Sequence, residues 1–536
     1  MESFSLFDEA WVPVVSRGVR TEVSLRVALL QAHELDGLAL EDPLATVALL
    51  RQVVLPVVLD ALGVPHDEDG WEDRWAAGHL DDTAVERYLD EHADRFDLFH
   101  PSRPFAQVGG LRTARGDTKP TSVLLAATAT GNNVPLFSAR TEADPPALTP
   151  AQAVRALLST HCWDTAAIKS GAVGDPQVKA GKTTGNPNGP LGSLGVVIPM
   201  GATLFETILL NTPIVSQGLD RDDRPQWRRA VATPEWAVRP ARGLLDLLTW
   251  QSRRIRLLPD TDEQGRTVVR HVVLTAGDRL TVLPEAVEPH TAWRQVDHPR
   301  PGNPPRWPIR HQPGRAAWRG MAALLTTRPE ATDKVSTAAM LDQLGNLRAE
   351  GRVPEDLRLQ VLTVGLSYGN QSAVIEDVMS DTLPLPVAAL ADGSPARELL
   401  LQVADQAERL RMAANDLGDD LRRAGGGDKL PWDRSLRLGE ELVHEFTPVV
   451  RRMLAGLQRE PHRWAEARQA WKATARRLAL AAAEPAIVAA PPTAFLGRPR
   501  SEAFSYRTSV AEARYRRAIN AVLGPAEDQP ARTGAA

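Results

Sequence analysis

Cysteine is almost missing from this 536-residue chain, with Cys162 its only member. A single thiol excludes an intramolecular disulfide and any multi-cysteine zinc or iron–sulfur site, and suits a reducing compartment. The twelve histidines fall in no metal-ligating spacing. His444-Glu445 is followed by Phe446-Thr447-Pro448, so the second helical histidine of a zinc protease is lacking. Long apolar runs are scarce too. The stretch 53–62 carries a proline and an acid and reads as too short to span a bilayer. The first residues show no basic start followed by an apolar stretch, so no signal peptide is expected. The expectation is a cytoplasmic protein without membrane contact. No sign of charge dominates: 62 bases against 67 acids leave a net charge of −5, which argues against indiscriminate coating of nucleic acid.

What is present is ordinary globular material. Hydrophobic residues make up 43% and charged residues 24%. The length allows a large core and about two to four domains. The charges are segregated, however. Residues 67–97 hold twelve acids against Arg74, Arg87 and Arg95, and read first as a solvated face. Residues 294–319 hold six arginines and one acid, Asp297.

Patterning divides the chain in two. Trp11-Val12-Pro13-Val14-Val15 reads as a strand, and 24–31 as a helix with a serine cap. Residues 42–62, 83–95 and 149–160 repeat apolar positions at helical spacing. Residues 268–283 alternate β-branched residues and are expected to form a hairpin turning at Gly277-Asp278. An apolar run, 361–366, leads into the polar corner Ser367-Tyr368-Gly369-Asn370-Gln371. Beyond 383 helical periodicity takes over, at 395–423, 433–457, 463–483 and 502–523. The predicted fold is therefore α+β: a large mixed α/β domain over 1–383, then a C-terminal four-helix bundle over 384–536 with a frayed tail.

Three features could carry chemistry. Residues 171–195 hold seven glycines with Lys179 and Lys182 among them, too long for a simple turn. Within it, Gly181-Lys182-Thr183-Thr184 resembles the end of a phosphate-binding loop. The position five residues before Gly181 is Pro176, which has no N–H to give a phosphate, so a nucleotide-binding enzyme is the weaker reading. Glycines instead let backbone approach a phosphate or a groove floor. Second, Trp293, Arg294, Arg300, Arg306, Trp307, Arg310, Arg315, Trp318 and Arg319 interleave indoles that stack bases with arginines that fork phosphates. The bland alternative is a proline-rich loop with surface arginines and core tryptophans. Third, in Trp250-Gln251-Ser252-Arg253-Arg254-Ile255-Arg256, strand alternation would put Arg254 and Arg256 on one face. His161, Cys162 and Asp164 lie close together, but a lone cysteine is usually a small buried hydrophobe. From residues alone the reading stops at a two-part binding protein.

Ser5-Leu6-Phe7-Asp8-Glu9-Ala10-Trp11-Val12-Pro13-Val14, Arg103-Pro104-Phe105-Ala106-Gln107, residues 130–138, Leu248-Thr249-Trp250-Gln251-Ser252-Arg253-Arg254-Ile255 and residues 365–376 follow one another in a familiar order. Together they resemble the CasA family, the large subunits of the type I-E CRISPR surveillance complex called Cascade. The resemblance implies a subunit without catalysis and without a cofactor. Its partners would be the CRISPR RNA, double-stranded target DNA and its displaced non-target strand, the backbone and small subunits, and a helicase-nuclease. It would inspect duplex DNA for a protospacer-adjacent motif through the minor groove and wedge the duplex open. The resemblance puts the wedge at Asn370 and Gln371. It puts a minor-groove glycine loop at Gly181, Lys182 and Gly185, with Asn188, Gly189 and Gly192 behind, and a basic reader at Arg279. Contacts to the RNA handle would come from Asn132, Asn133 and Phe137. The displaced strand would follow basic residues that include Arg422, Arg423, Arg451, Arg452, Arg476 and Arg477, which read equally as solubilising helix charges. Some relatives carry a cysteine cluster for zinc; the lone Cys162 implies no metal here. A purely architectural subunit is the remaining alternative.

Overall fold

Three helix starts follow directly from their cap residues. Ser24 accepts the Val27 N–H ahead of Leu25–Leu30, and Asp42 accepts the Ala45 N–H ahead of Pro43–Leu49. Thr149 and Gln152 form a reciprocal capping box ahead of Pro150–Trp163. The computed structural model describes residues 3–126, 145–299, 304–325, 334–428, 437–501 and 504–525.

The second of these helices corrects the sequence reading of a short apolar stretch. It continues through a wide π turn, Leu50–Val54, into Leu55–Leu62. The resulting rod, Pro43–Leu62, is long and apolar enough to cross a membrane by length and composition, yet 89% of its most apolar window is buried inside the protein. Pro56 does not break it, because the turn before it is widened: the Leu55 N–H donates to the Leu50 carbonyl, five residues back. The rod packs on Pro150–Trp163, where the Trp163 indole donates to the Leu44 carbonyl at 3.1 Å and the Gln52 amide to the Leu158 carbonyl at 2.6 Å.

The described strands form several small sheets. In one, Thr267–Ala276 runs antiparallel to Arg253–Thr261 and to Lys119–Pro120, and parallel to Lys169–Ser170, which pairs with Lys182–Thr183. In another, Gln360–Tyr368 lies between Val196–Met200 and Ile375–Pro384.

The hairpin expected over 268–283 is not there. Thr267–Ala276 pairs with the strand before it, and the turn lies where the Gly265 N–H meets the Asp262 carbonyl at 3.0 Å. Gly277 serves close packing instead of a hairpin turn, since a Cβ there would collide with the Arg253 backbone. Arg279–Leu280 then pairs with Val238–Arg239.

The chain is mixed helix and sheet and divides into two units. The first is Met1–Arg315 with Thr326–Thr382, and the second is Ala316–Leu325 with Leu383–Ala536. The second unit contains the long helices Pro395–Gly425, Leu438–Arg459, Trp464–Val488 and Thr508–Leu523. Their apolar faces bury Leu399, Leu410, Phe446, Trp471 and Ile519, with Phe446 edge-on to Trp471 at 5.2 Å. The buried Gln406 accepts the Trp471 indole N–H at 2.9 Å and donates to the Val522 carbonyl at 3.1 Å. Ala316–Leu325 belongs to this unit. The Trp318 indole donates to the Thr447 hydroxyl at 3.2 Å, and Arg319 pairs with Glu408 at 2.7 Å and Glu440 at 3.3 Å.

Candidate nucleic-acid interface

The strands Gln360–Tyr368 and Ile375–Pro384 meet in a short polar tip built around the 3₁₀ turn Asn370–Ser372. Asn370 and Gln371 are exposed. Gln371 and Ser372 take φ of +53° and +57°, a left-handed conformation that non-glycine residues seldom adopt and hold only when their surroundings fix it. Here the Gly369 N–H donates to the Val374 carbonyl at 2.9 Å, and the Ser372 N–H to the Gly369 carbonyl at 2.7 Å. From outside the tip, the Ala166 N–H donates to the Ser372 carbonyl at 2.9 Å.

The segment that carries Ala166 also holds the glycine-rich stretch. Lys179 and Lys182 exchange backbone hydrogen bonds of 2.9 and 3.0 Å around Ala180 and Gly181, at φ of +50° and +73°, as in a two-residue hairpin turn. Gly181, Lys182 and Gly185 are exposed. Lys182 lies in a strand and no helix starts behind it, so the phosphate cradle required by the nucleotide-binding alternative is not formed. Gly189 and Gly192 face inward. A Cβ on Gly189 would collide with the Cys162 carbonyl, and one on Gly192 with the Tyr368 hydroxyl. That hydroxyl donates to the Trp163 carbonyl at 2.6 Å. Asn188 is half-buried between them.

Arg279 closes the loop from the other side. Its guanidinium stacks on the Trp236 indole and donates to the Thr184 carbonyl at 2.8 Å and the Asn186 side-chain oxygen at 3.0 Å. Trp236 is fixed in turn by an indole hydrogen bond of 3.0 Å to Asp175.

Beneath the loop lies a buried charge cluster. One Asp164 carboxylate oxygen meets Lys169 at 2.5 Å and also Arg253, whose guanidinium donates to the Thr165 and Pro187 carbonyls at 2.8 and 2.7 Å. Burial alone would raise the Asp164 pKa, but Lys169 and Arg253 hold it below the usual carboxylate range. Burial pushes the Lys169 amine down to about 8, against the pull of Asp164. Burial also raises the Tyr368 phenol, which stays protonated. Trp236, Asn186, Asp164 and Lys169 were not read from the sequence as parts of this site.

The other candidates separate by burial. Arg254 is interior, donating to the Thr233 and Glu235 carbonyls at 2.9 Å each and pairing with Asp278 at 2.8 Å. Arg256, on the same strand, is half-buried and reaches the Leu111 carbonyl at 3.5 Å, so Arg254 and Arg256 do not form an outward basic strip. Trp293 and Trp318 are core residues. Arg294 and Trp307 are exposed. In the second unit Arg422, Arg452 and Arg477 are exposed, Arg423 lies 5.3 Å from the Tyr506 ring, Arg476 is tied to Asn520 and the Gly524 carbonyl, and Arg451 is half-buried. Asn132, Asn133 and Phe137 lie outside the described residues. Cys162 is buried, its thiol pushed up to about 12 by burial and accepting a Gln52 amide N–H. Among the described residues no group of three His, Cys, Asp or Glu is placed to hold a metal.

The family model of CRISPR-associated protein Cse1 matches residues 5–482.

The chain belongs to the Cse1 family.

A CRISPR-associated protein CasA/Cse1 from Thermus thermophilus is 30% identical over 442 residues, 80% of each chain. The crystal structure of Thermobifida fusca Cse1 superposes with a TM-score of 0.83 at 32% identity, covering 97% of this chain and 98% of that one. A chain of a CRISPR RNA-guided surveillance complex shares the fold with a TM-score of 0.67 at 22% identity, covering 97% of this chain and all of that one.

Proposed function

We propose that this Cse1 family member is the non-catalytic large subunit of an RNA-guided surveillance complex in the cytoplasm, and that it finds and opens duplex DNA. The observation that carries the reading is the pairing of an exposed, conformationally fixed tip at Asn370-Gln371 with an exposed glycine-rich loop at Gly181, Lys182 and Gly185, both anchored to the segment 164–169. In this reading Gly181 and Gly185 bring backbone against the minor groove beside a short flanking motif, and Lys182 supplies a phosphate contact. The minor groove separates mainly A·T from G·C, so several motifs would be tolerated. Arg279 holds the loop in reach. Asn188, Gly189 and Gly192 are the packing behind it.

The tip then enters beside the motif. The Gln371 amide has donors and acceptors to replace those of the first broken base pair. Exchange of DNA pairing for guide pairing is nearly balanced, so about 1–2 kcal/mol at the first steps decides nucleation. The four long helices of the second unit, taken as a four-helix bundle, would offer the docking surface for a helicase-nuclease. Asn132, Asn133 and Phe137 would contact the RNA handle. The fold shared with a chain of a surveillance complex supports the reading of a subunit of such a complex.

The test is duplex binding by the RNA-guided core with and without this chain, on targets that carry or lack a flanking motif. The reading expects motif-dependent capture only with the chain, and expects Gln371→Ala to lose strand opening more than capture. If the variant opens DNA as well as the parent, the architectural alternative is correct.

A further inference from the structure

The glycine-rich loop does more than present its tip: its later part, 187–193, forms one wall of a cleft of about 1000 Å³. The opposite wall is the pair of strands Trp293–Gln295 and Arg306–Pro308. Trp250 and Trp293 also line it and are buried. Two features distinguish this cleft from a packing fault. Trp307 leaves 47% of its surface exposed at the opening, although the other tryptophans lining the cleft are buried. Directly across the strand pair from Trp307 is Arg294, also exposed. Residues directly opposite each other in such a pair share a face.

Among the described residues lining the cleft, the charges leave an excess of cation. Asp278 is matched by Arg254 at 2.8 Å and Arg239 at 3.4 Å, and Glu285 by Arg306 at 3.1 Å. Arg294 and Arg310 have no carboxylate partner in these pairings, and the Arg310 guanidinium is held in place by the Ser193 carbonyl at 3.0 Å. The Gly195 N–H donates to the Ile309 carbonyl at 2.9 Å, so loop and strand pair are joined. An exposed apolar platform with one arginine on its own face and a second arginine lining the same cleft matches one ligand chemistry: a planar base carrying an anionic phosphodiester. The volume is that of a small-ligand pocket, which admits a few unpaired nucleotides and not a duplex.

We infer that this cleft binds unpaired nucleotides of a nucleic-acid strand, with a base stacked on Trp307 and phosphates on Arg294 and Arg310. The inference rests on the proposed opening of DNA by the neighbouring tip, which would release such a strand next to the loop. The RNA guide is the second source of the same chemistry.

The test uses the full chain and fluorescein-labelled twelve-nucleotide probes: oligothymidine DNA, oligouridine RNA and a blunt duplex, at fixed low salt. Trp307→Ala and Arg294→Glu are expected to weaken binding of a single-stranded probe by about tenfold, in the range for loss of one stacking platform or a reversed phosphate contact. Trp307→Phe keeps a ring and is expected to retain most of the affinity, which separates stacking from misfolding. Stronger binding of DNA identifies the displaced strand as the ligand, and stronger binding of RNA identifies the guide. Affinity within twofold of the parent for both Trp307→Ala and Arg294→Glu overturns the inference. So does equal loss in Trp307→Phe. None of these outcomes depends on Gln371, so the opening reading stands or falls separately through strand opening by Gln371→Ala in the assembled complex.

Discussion

The Arg279 guanidinium lies 3.9 Å from the centre of the Trp236 ring and ties that indole to the backbone of the glycine-rich loop through the Thr184 carbonyl. Arginine does this with a flat, forked group that a lysine ammonium cannot reproduce. Arg279→Lys therefore keeps the charge and loses the clamp. Motif-dependent duplex binding is expected to fall about fivefold, consistent with roughly 1 kcal/mol for the lost stacking and hydrogen bond. Amide exchange at 184–186 is expected to quicken. Unchanged exchange with weakened binding would instead assign Arg279 to direct contact with DNA.

The Tyr368 hydroxyl joins the base of the tip to the helix end at Trp163. Tyr368→Phe leaves that carbonyl without its donor while keeping the ring beside Gly192. The expected loss is about 1–2 kcal/mol of stability, seen as a lower urea midpoint. A midpoint equal to the parent's would mean that water replaces the hydroxyl.

Two glycines in one loop should respond to different degrees. Alanine at Gly189 meets the Cys162 carbonyl, which is backbone and cannot swing aside. Alanine at Gly181 meets nothing within 4 Å and faces only the left-handed φ of +73°. Gly189→Ala is expected to cost about 1–3 kcal/mol, and Gly181→Ala about 1 kcal/mol. Thermal melting of the two variants side by side reads the difference, and a reversed order would contradict the packing described.

The buried Lys169 predicts a particular pH response. Its folded pKa of about 8 lies below the usual lysine value of 10.5, chiefly because burial disfavours the charge. Between those values the unfolded chain binds the proton and the folded chain does not. Raising the pH through that window therefore favours folding through this group. Lys169→Met removes the contribution. The urea midpoint of the parent, minus that of the variant, is expected to rise from pH 8 to pH 10 and to be level below that window. A difference that is flat from pH 8 to pH 10 would show that Lys169 remains charged there.

Much of this was legible locally. Ser24 announced its helix because capping is decided within four residues, and the helices from 42 and 149 showed in their local apolar spacing. The apolar strand before Asn370 was readable for the same reason. Gly277 misled because a glycine needed for close approach to the Arg253 backbone looks the same in sequence as a turn glycine. The inward roles of Gly189 and Gly192 were hidden because their neighbours, Cys162 and Tyr368, come from other segments. The tryptophan–arginine stretch held both of its readings at once: Trp293 and Trp318 are core, whereas Arg294 and Trp307 face outward. Only burial separates them, and burial is a property of the whole fold. The candidate DNA contacts themselves came from family resemblance. Spacing alone could not distinguish Gly181 from Gly189.

The strap Ala316–Leu325 has a consequence during synthesis. Its Arg319 leaves the ribosome well before its partner Glu440, 121 residues downstream. At about 5–20 residues per second, the strap waits roughly 6–24 seconds for that partner. Throughout that interval Trp318, fully buried in the finished protein, lacks its Thr447 partner as well. The helical unit is therefore not a detachable cassette that folds after everything before it is complete. A nascent chain of this protein carries the Trp318 indole without its partner until Thr447 is made, and an arginine that meets Glu408 first and Glu440 later.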